Sequence, residues 1–444
     1  MLNMLDITID CARSLGRLRA LHGVGNGPFV AGGHTADMAA RHREAGFPSV
    51  RLHDCHWPNP NVVDVPTIFP LFHADIDDLR NYIFAPTDRY LLPIVEQGAQ
   101  IVYRLGVSIE HKTQYTIHPP ADYDRWARIC INIIRHYNEG WADGFHYNIT
   151  HFEIWNEPNV GAMWLGTLEQ YFALYRTAVT ALKAYNPALK IGGPVTTHVQ
   201  ADLTRAFLGY CREHGLPLDF FSWHCYRDDP RAVAADGVLV RELLVEYGYP
   251  DAESFLTEWR PMLIGWDETG PKPERPASAV REAFARNRNE EAAAFTANTL
   301  MLLQDGPVDM THFYCADDSP WSMFDEYGVP GKAYFAMKAF NELLRTPNRI
   351  AVSDTGDPAI TACAGLADDG RAAGILLSNF RGEERQLTLA FNALPWTGVT
   401  QVEHHLLDAR HELDCVAEET LAADTPLTVS LPPSTVRYLR LTPA

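Results

Sequence analysis

Between residue 20 and about residue 345, short and nearly continuous apolar runs alternate with stretches in which apolar positions recur every three or four residues. A run that is apolar throughout predicts a strand covered on both faces, and the 3.6-residue recurrence predicts an amphipathic helix. Strands are expected at 20–25, 49–53, 100–105, 151–155, 190–194, 219–225, 254–258 and 310–315. Helices are expected at 36–45, 89–97, 122–137, 168–185, 203–214, 231–247, 277–304 and 332–344. Thr167, with Gln170 three positions on, reads as a capping box, and Asn186-Pro187 as a stop. Strand–helix units in unbroken succession predict an α/β fold, a (β/α)8 TIM barrel.

After residue 346 the pattern changes. Segments 359–363, 372–379, 386–391, 399–407, 427–431 and 435–441 are short, rich in β-branched residues or Leu, and separated by Gly, Pro, Asp and Glu. They predict a C-terminal all-β, sandwich-like accessory domain. Residues 5–18 open with alternation, and the strand they predict is expected to join the open edge of that β module. The expected division is therefore an N-terminal strand (1–15), a catalytic barrel (16–345) and an accessory domain (346–444).

Composition narrows the function classes. Hydrophobic residues are 46% and charged residues 21% of the chain, ordinary for a folded globular protein. Lys plus Arg number 37 against 56 Asp plus Glu, a net charge of −19 that repels phosphate backbones and anionic lipids, so neither nucleic acid nor a membrane is the expected partner. The expected partner is a glycoside or small oligosaccharide; assembly into a homo-oligomer stays open. The eight cysteines are scattered without a C-x-x-C pair, which suits reduced core thiols, and the N-terminus lacks the basic and apolar regions of a signal peptide; a cytoplasmic location is expected.

Barrel enzymes assemble their sites at the C-terminal ends of the strands. There the second strand finishes Val50-Arg-Leu-His-Asp54, the fourth Trp155-Asn-Glu157, the sixth Ser222-Trp-His-Cys-Tyr226 and the seventh Leu256-Thr-Glu-Trp259. Glu157 and Glu258 each end an apolar run with no neighbouring Lys, and a carboxylate in a partly dry cleft is costly unless it serves a purpose. Cleaving a glycosidic bond needs such a pair, one group to protonate the leaving oxygen and one to meet the oxocarbenium-like carbon. Trp155, Trp223, Trp259 and Trp321 offer flat apolar faces near the rim, although Trp155 and Trp223 alternate with their neighbours and have the barrel–helix layer as an alternative, the favoured one for Trp223; His53, Asn156, His224 and Tyr226 offer hydrogen bonds to hydroxyls. Arg51 shares a strand face with His53 and is placed either to hold a carboxylate or to sit in a buried ion pair. His53-Asp54-Cys55-His56 has metal-binding residue types, but no matching ligand set follows, so neither a metal nor any other cofactor is expected. No Gly-rich phosphate loop and no G-x-S-x-G elbow occurs.

With those residues in view the chain resembles glycoside hydrolase family 39, through Phe152-Glu-Ile-Trp-Asn-Glu-Pro158, Leu256-Thr-Glu-Trp259, Ser222-Trp-His-Cys-Tyr226 and Val50-Arg-Leu-His53. The resemblance implies a retaining exo-glycosidase, β-xylosidase-like, with Glu157 as acid/base and Glu258 as nucleophile. It also implies that Asn156 binds the sugar 2-hydroxyl, that Tyr226 orients Glu258, and that His53 and His224 touch hydroxyls. Family members of other specificity, α-L-iduronidase-like, arabinosidase or galactosidase, remain alternatives, and a uronate would need a cation for which Arg260 is the candidate. The chain departs from the family at Cys315-Ala-Asp-Asp-Ser-Pro-Trp-Ser-Met-Phe324, which leaves Asp317, Asp318 and Trp321 loosely placed. A non-catalytic carbohydrate-binding barrel and a metal-dependent hydrolase are the readings from other classes.

Overall fold

The structure is a computed structural model that describes residues 4–28, 37–55, 61–110, 113–263, 274–317, 321–422 and 425–444. His56 and Asp318 lie outside the described residues, as does most of the Pro-rich segment 270–276. Eight parallel strands close a barrel: β2 (Gly23–Gly25), β3 (Ser49–Leu52), β4 (Gln100–Leu105), β5 (His151–Ile154), β6 (Lys190–Thr196), β7 (Phe220–Arg227), β8 (Glu253–Pro261) and β9 (Met310–Phe313), with β2 pairing β9. Helices α1 (Ala39–Ala45), α3 (Ala85–Glu96), α4 (Tyr123–Glu139), α5 (Leu168–Tyr185), α6 (Ala201–Glu213) and α7 (Pro230–Glu246) follow the strands in turn, with a short α2 (Val65–Ile68) before α3. After β8 come α8 (Ala277–Arg286) and α9 (Glu290–Leu302), and after β9 comes α10 (Lys332–Leu343).

The capping box at Thr167–Gln170 forms at the start of α5, and Asn186 ends it. The single helix expected over 277–304 is two. Asn289 breaks it, because its side chain accepts from the amides of Glu291 and Ala292 and so starts α9 afresh. Inside the barrel, Val102, Phe220 and Phe255 fill the lower layer, with the Phe220 and Phe255 rings stacked at 4.5 Å. The layers above are polar, which places the chemistry at the other end.

The remaining strands form one nine-stranded sheet, in the order β15-β14-β17-β12-β11-β10-β1-β13-β16. Here β1 is Met4–Arg17, β10 is Asn348–Val352, β11 Ile360–Leu366, β12 Ala373–Asn379, β13 Arg385–Asn392, β14 Val399–Leu407, β15 Glu412–Ala422, β16 Leu427–Leu431 and β17 Thr435–Pro443. One face of this sheet encloses its own core, with Ile7, Ile350, Ile375, Leu387, Val402, Leu427 and Leu439 in a single cluster. Alternate residues on the other face, Cys363, Leu376 and Tyr438, join the core of the barrel and its helices. The N-terminal strand does not add to an open edge. It lies inside the sheet, antiparallel to β10 and parallel to β13, because Ile7 and Ile9 are needed in the middle of the enclosed core. Among the described residues no helix is long and apolar enough to cross a membrane.

Candidate active site

The polar upper layers of the barrel are built around one buried cation. Arg51 on β3 donates from Nε to Glu153 Oε2 at 2.6 Å, from one terminal nitrogen to Glu258 Oε1 at 2.7 Å, and from the other to Asn156 Oδ1 at 2.7 Å. Burial would ease the proton off this guanidinium, but the Glu153 and Glu258 carboxylates outweigh it and hold it more firmly than usual. One side chain thus ties strands β3, β5 and β8 together beneath the rim. Replacing Arg51 by Met is expected to cost about 3–5 kcal/mol, because it leaves two buried carboxylates without their counter-charge. Urea denaturation at pH 7 measures this; an unchanged midpoint would show that the triad contributes nothing.

The two strand-end glutamates meet above this layer. Strict alternation from the inward Phe255 would turn Glu258 outward, but β8 carries an irregularity: Trp223 pairs with Leu256 and His224 with Glu258, so Thr257 is an extra residue. The bulge brings Glu258 back to the barrel interior. Tyr226 Oη donates to Glu258 Oε2 at 2.5 Å. Burial raises the Glu258 carboxyl above its ordinary value, with His224, Arg51 and Tyr226 opposing and Glu157 adding to the rise.

Glu157 is carried on a turn in which Trp155 has φ 70° and Glu157 φ 42°. Left-handed backbone costs a non-glycine residue on the order of 1 kcal/mol, and the amide of Glu157 is held by the carbonyl of Val195 at 2.8 Å. The Glu157 carboxyl is pushed up to about 8, chiefly by burial, which the Arg51 charge only partly offsets. His224 Nδ1 stands between the pair, 2.7 Å from Glu157 Oε1 and 3.3 Å from Glu258 Oε2. The three ligand atoms, one from each of Glu157, His224 and Glu258, all lie within 4.8 Å of one another. Burial brings the His224 ring down to about 4, so it is neutral near pH 7 and serves one carboxyl as donor or acceptor. Among the described residues this trio alone has the composition and spacing of a metal site. Two carboxylates and one imidazole would suit a divalent ion, but Arg51 and Tyr226 already occupy Glu258 on both oxygens.

A cavity of about 580 Å³ opens over the pair, lined by Glu157, Glu258, His53, Tyr226 and Trp321 among the expected residues. Of the expected sugar contacts, Asn156 and His224 are fully buried and are not among the cavity-lining residues: Asn156 Oδ1 accepts from Arg51 while its Nδ2 is 3.8 Å from the sulfur of Met163, and His224 is engaged with the two carboxylates. The aromatic rim is also smaller than expected. The positive φ of Trp155 turns its indole outward among Trp126 and Trp164, with Nε1 donating to the Met163 carbonyl, and Trp259 donates to Thr311 in the barrel–helix layer. Trp223 lies in that layer as alternation indicated, bonded to Ser254. Of the four, Trp321 lines the cavity. Arg260 stacks on its ring at 5.3 Å and donates to its carbonyl, buried and off the cavity wall, so it is not placed to receive a substrate carboxylate.

Other lining residues were not expected at the site. Ile109, Val160, Met163, Thr197 and His198 come from loops whose course the strand pattern does not give, whereas Arg227 ends β7 and Asp54 and Tyr314 follow closely on β3 and β9. A second buried polar chain supports them: Arg104 donates to Asp64 at 2.6 Å, to Ser108 at 3.1 Å and to His53 Nδ1 at 3.2 Å. Its signal was a charge inside the apolar run Val102-Tyr-Arg-Leu105. Asp317 is buried and accepts from Asn26 Nδ2 at 2.8 Å, which holds the loop after β9 against the loop after β2.

The chain is similar to several known proteins. A β-xylosidase from Caldicellulosiruptor saccharolyticus is 25% identical over 336 residues, 68% of this chain, and the chain spans 63% of that protein's length. A β-xylosidase from Geobacillus stearothermophilus is 34% identical over 116 residues, 25% of this chain and 22% of that protein. Among solved structures, a glucosidase from Croceicoccus marinus matches over the whole of both chains at 26% identity and a TM-score of 0.83. A monomeric β-xylosidase from Caulobacter crescentus CB15 shares the fold at a TM-score of 0.72 and 18% identity, over 99% of both chains. The family described as glycosyl hydrolases family 39 matches residues 23–253, over half of the sequence, and the chain belongs to that family.

Proposed function

We propose that the protein is a retaining exo-glycosidase that works by double displacement on β-D-xylosides or related pentosides. The observation that carries this reading is the approach of Glu157 and Glu258, with one oxygen of each inside 4.8 Å. Retaining enzymes hold their carboxyls about 5–5.5 Å apart, whereas inverting enzymes leave about 6.5–9.5 Å for a water molecule. The protonation states support the same division of labour. Glu157, raised to about 8, keeps a proton for the leaving oxygen at neutral pH, and Glu258 is gripped by Arg51 and Tyr226 with its carboxylate aimed into the cavity. Glu258 would attack the anomeric carbon as Glu157 protonates the departing oxygen, and Glu157 would then take a proton from the incoming water. Proton NMR of the first-formed sugar tests the stereochemistry: a β-xyloside should release β-xylose, and initial release of the α-anomer would overturn the proposal.

A hexose is the second reading, favoured by the full-length likeness to a protein named a glucosidase. Nitrophenyl β-D-xylopyranoside and β-D-glucopyranoside, compared by kcat/KM, separate the two. Hydrolysis of neither, with binding of both, would point instead to a carbohydrate-binding barrel.

A further inference from the structure

The cavity contains a third carboxylate for which the double displacement has no use. Asp54 follows His53 at the end of β3 with φ 50°, is 5% exposed, and lines the cavity beside it. Its Oδ1 accepts the amide of Ile109 at 2.8 Å and its Oδ2 accepts the hydroxyl of Tyr314 at 3.2 Å. Both partners are uncharged, and among the described residues no Lys or Arg pairs with it. A carboxylate has about four acceptor sites, so two stay available. This differs from the other charges on the wall: Glu258 is paired with Arg51, and Arg227 is paired with Asp236 at 3.0 and 3.1 Å.

His53 supplies the complement. Because Arg104 donates to its Nδ1, the neutral ring carries its proton on Nε2. That atom is buried and 3.3 Å from Asp54 Oδ2, a long contact that leaves it without a well-aligned hydrogen bond among the described residues while still lowering the Asp54 carboxyl. The ring is brought down to about 3, first by burial, and the Asp54 carboxyl to about 2, where its neighbours outweigh burial, so the pair is a neutral donor beside an ionised acceptor. A buried donor and a buried anion, side by side on two residues that line the cavity, are the complement of neighbouring sugar hydroxyls, each of which can accept and donate.

We infer that Asp54 is a specificity-determining residue: with His53 it forms a donor–acceptor pair for hydroxyls of a neutral glycone, and its charge, matched by no Lys or Arg ion pair among the described residues, excludes glycones that carry a carboxylate. The inference rests on reading this cavity as the sugar site, and it deepens that reading by naming the substrate class as neutral sugars. Calorimetric titration of the wild-type protein with D-xylose, D-glucose and D-glucuronate tests it without requiring turnover. Glucose should bind at least about tenfold more tightly than glucuronate, the scale of one charge-assisted contact. Asp54→Asn should weaken the neutral sugars about tenfold and bring the two hexose affinities together. Equal wild-type affinities for glucose and glucuronate, or an Asp54→Asn protein that binds both as the wild type does, would overturn the proposal. Should the variant fail to fold, 3-deoxy- and 4-deoxy-xylose on the wild type decide: at least one should lose about tenfold in affinity, and undiminished binding of both removes the hydroxyl site. If the wild type discriminates as expected yet hydrolyses no aryl glycoside, the catalytic reading fails while that of Asp54 stands.

Discussion

Replacing Glu258 with Ala is expected to lower kcat on nitrophenyl β-D-xylopyranoside by on the order of 10⁴-fold or more, the scale on which a covalent nucleophile contributes. The size follows from how completely the site is arranged around this carboxylate. Its Oε1 is fixed by Arg51 at 2.7 Å, its Oε2 by Tyr226 at 2.5 Å, and the bulge at Thr257 exists in a strand that would otherwise turn it away. Azide gives a readout that mere disruption would not. In Glu258→Ala it can occupy the vacated space and attack the anomeric carbon directly, so α-xylosyl azide should accumulate. Activity within tenfold of wild type, or rescue that yields the β-azide, would sink the nucleophile assignment. The pH profile carries the same logic: on the proposed mechanism Glu258 would have to be ionised to attack, and burial raises its carboxyl, so kcat/KM should fall on the acid side above the usual carboxylate range.

The reach of the sequence into this site has physical limits that particular residues make plain. The strands were legible because parallel strands buried on both faces are continuously apolar, and the strand-end position of Glu157 because Pro158 punctuates such a run. Strand β15 was not legible: it is largely exposed, and Glu-Leu-Asp-Cys-Val-Ala-Glu-Glu-Thr has no buried face to enforce alternation. Side-chain direction at the rim was lost wherever the backbone left regular geometry. The φ of 70° at Trp155 sends an expected sugar platform into the helix layer, and the extra residue at Thr257 brings Glu258 inward. Whether a polar residue touches ligand or holds another side chain depends on depth along the barrel axis. Period-two alternation correctly places Arg51 and His53 on the same face, yet gives no means of telling that Arg51 lies beneath the carboxylates and His53 beside the cavity. Asp54 is a related case: the sequence shows it as the end of the second strand and part of a motif of metal-binding residue types, and only the turn at φ 50° and the two neutral donors mark it as an anion held in the cavity wall.

Glu157→Ala should separate substrates by their leaving groups. A xyloside whose aglycone is a poor leaving group needs the proton and is expected to lose roughly 10²–10⁴-fold in kcat/KM, the range for general acid catalysis, whereas a dinitrophenyl xyloside should lose far less. Equal losses on both would count against an acid role. In the wild type the carboxyl stands near 8, so the proton needed for cleavage is present below that pH and is lost as the pH rises through it. A basic limb near pH 8 should therefore appear with poor leaving groups and vanish in the variant. The same shift has a consequence for stability. The folded state retains this proton up to about pH 8, while an unfolded glutamate releases it near 4.5, so stability must decline as pH rises through that window. Glu157→Gln cannot ionise and should remove this part of the decline, which makes the variant more stable than wild type at pH 9 and nearly equal to it at pH 4. Melting curves at both pH values check the sign. On the proposed double displacement the pressure on Glu157 would ease during the cycle: once Glu258 is esterified its negative charge no longer offsets Arg51, and the guanidinium, then shared with Glu153 alone, favours the ionised Glu157 that would take a proton from water. In Glu157→Ala, azide should consequently attack the waiting glycosyl-enzyme and give β-xylosyl azide, the opposite anomer from that expected when Glu258 is removed.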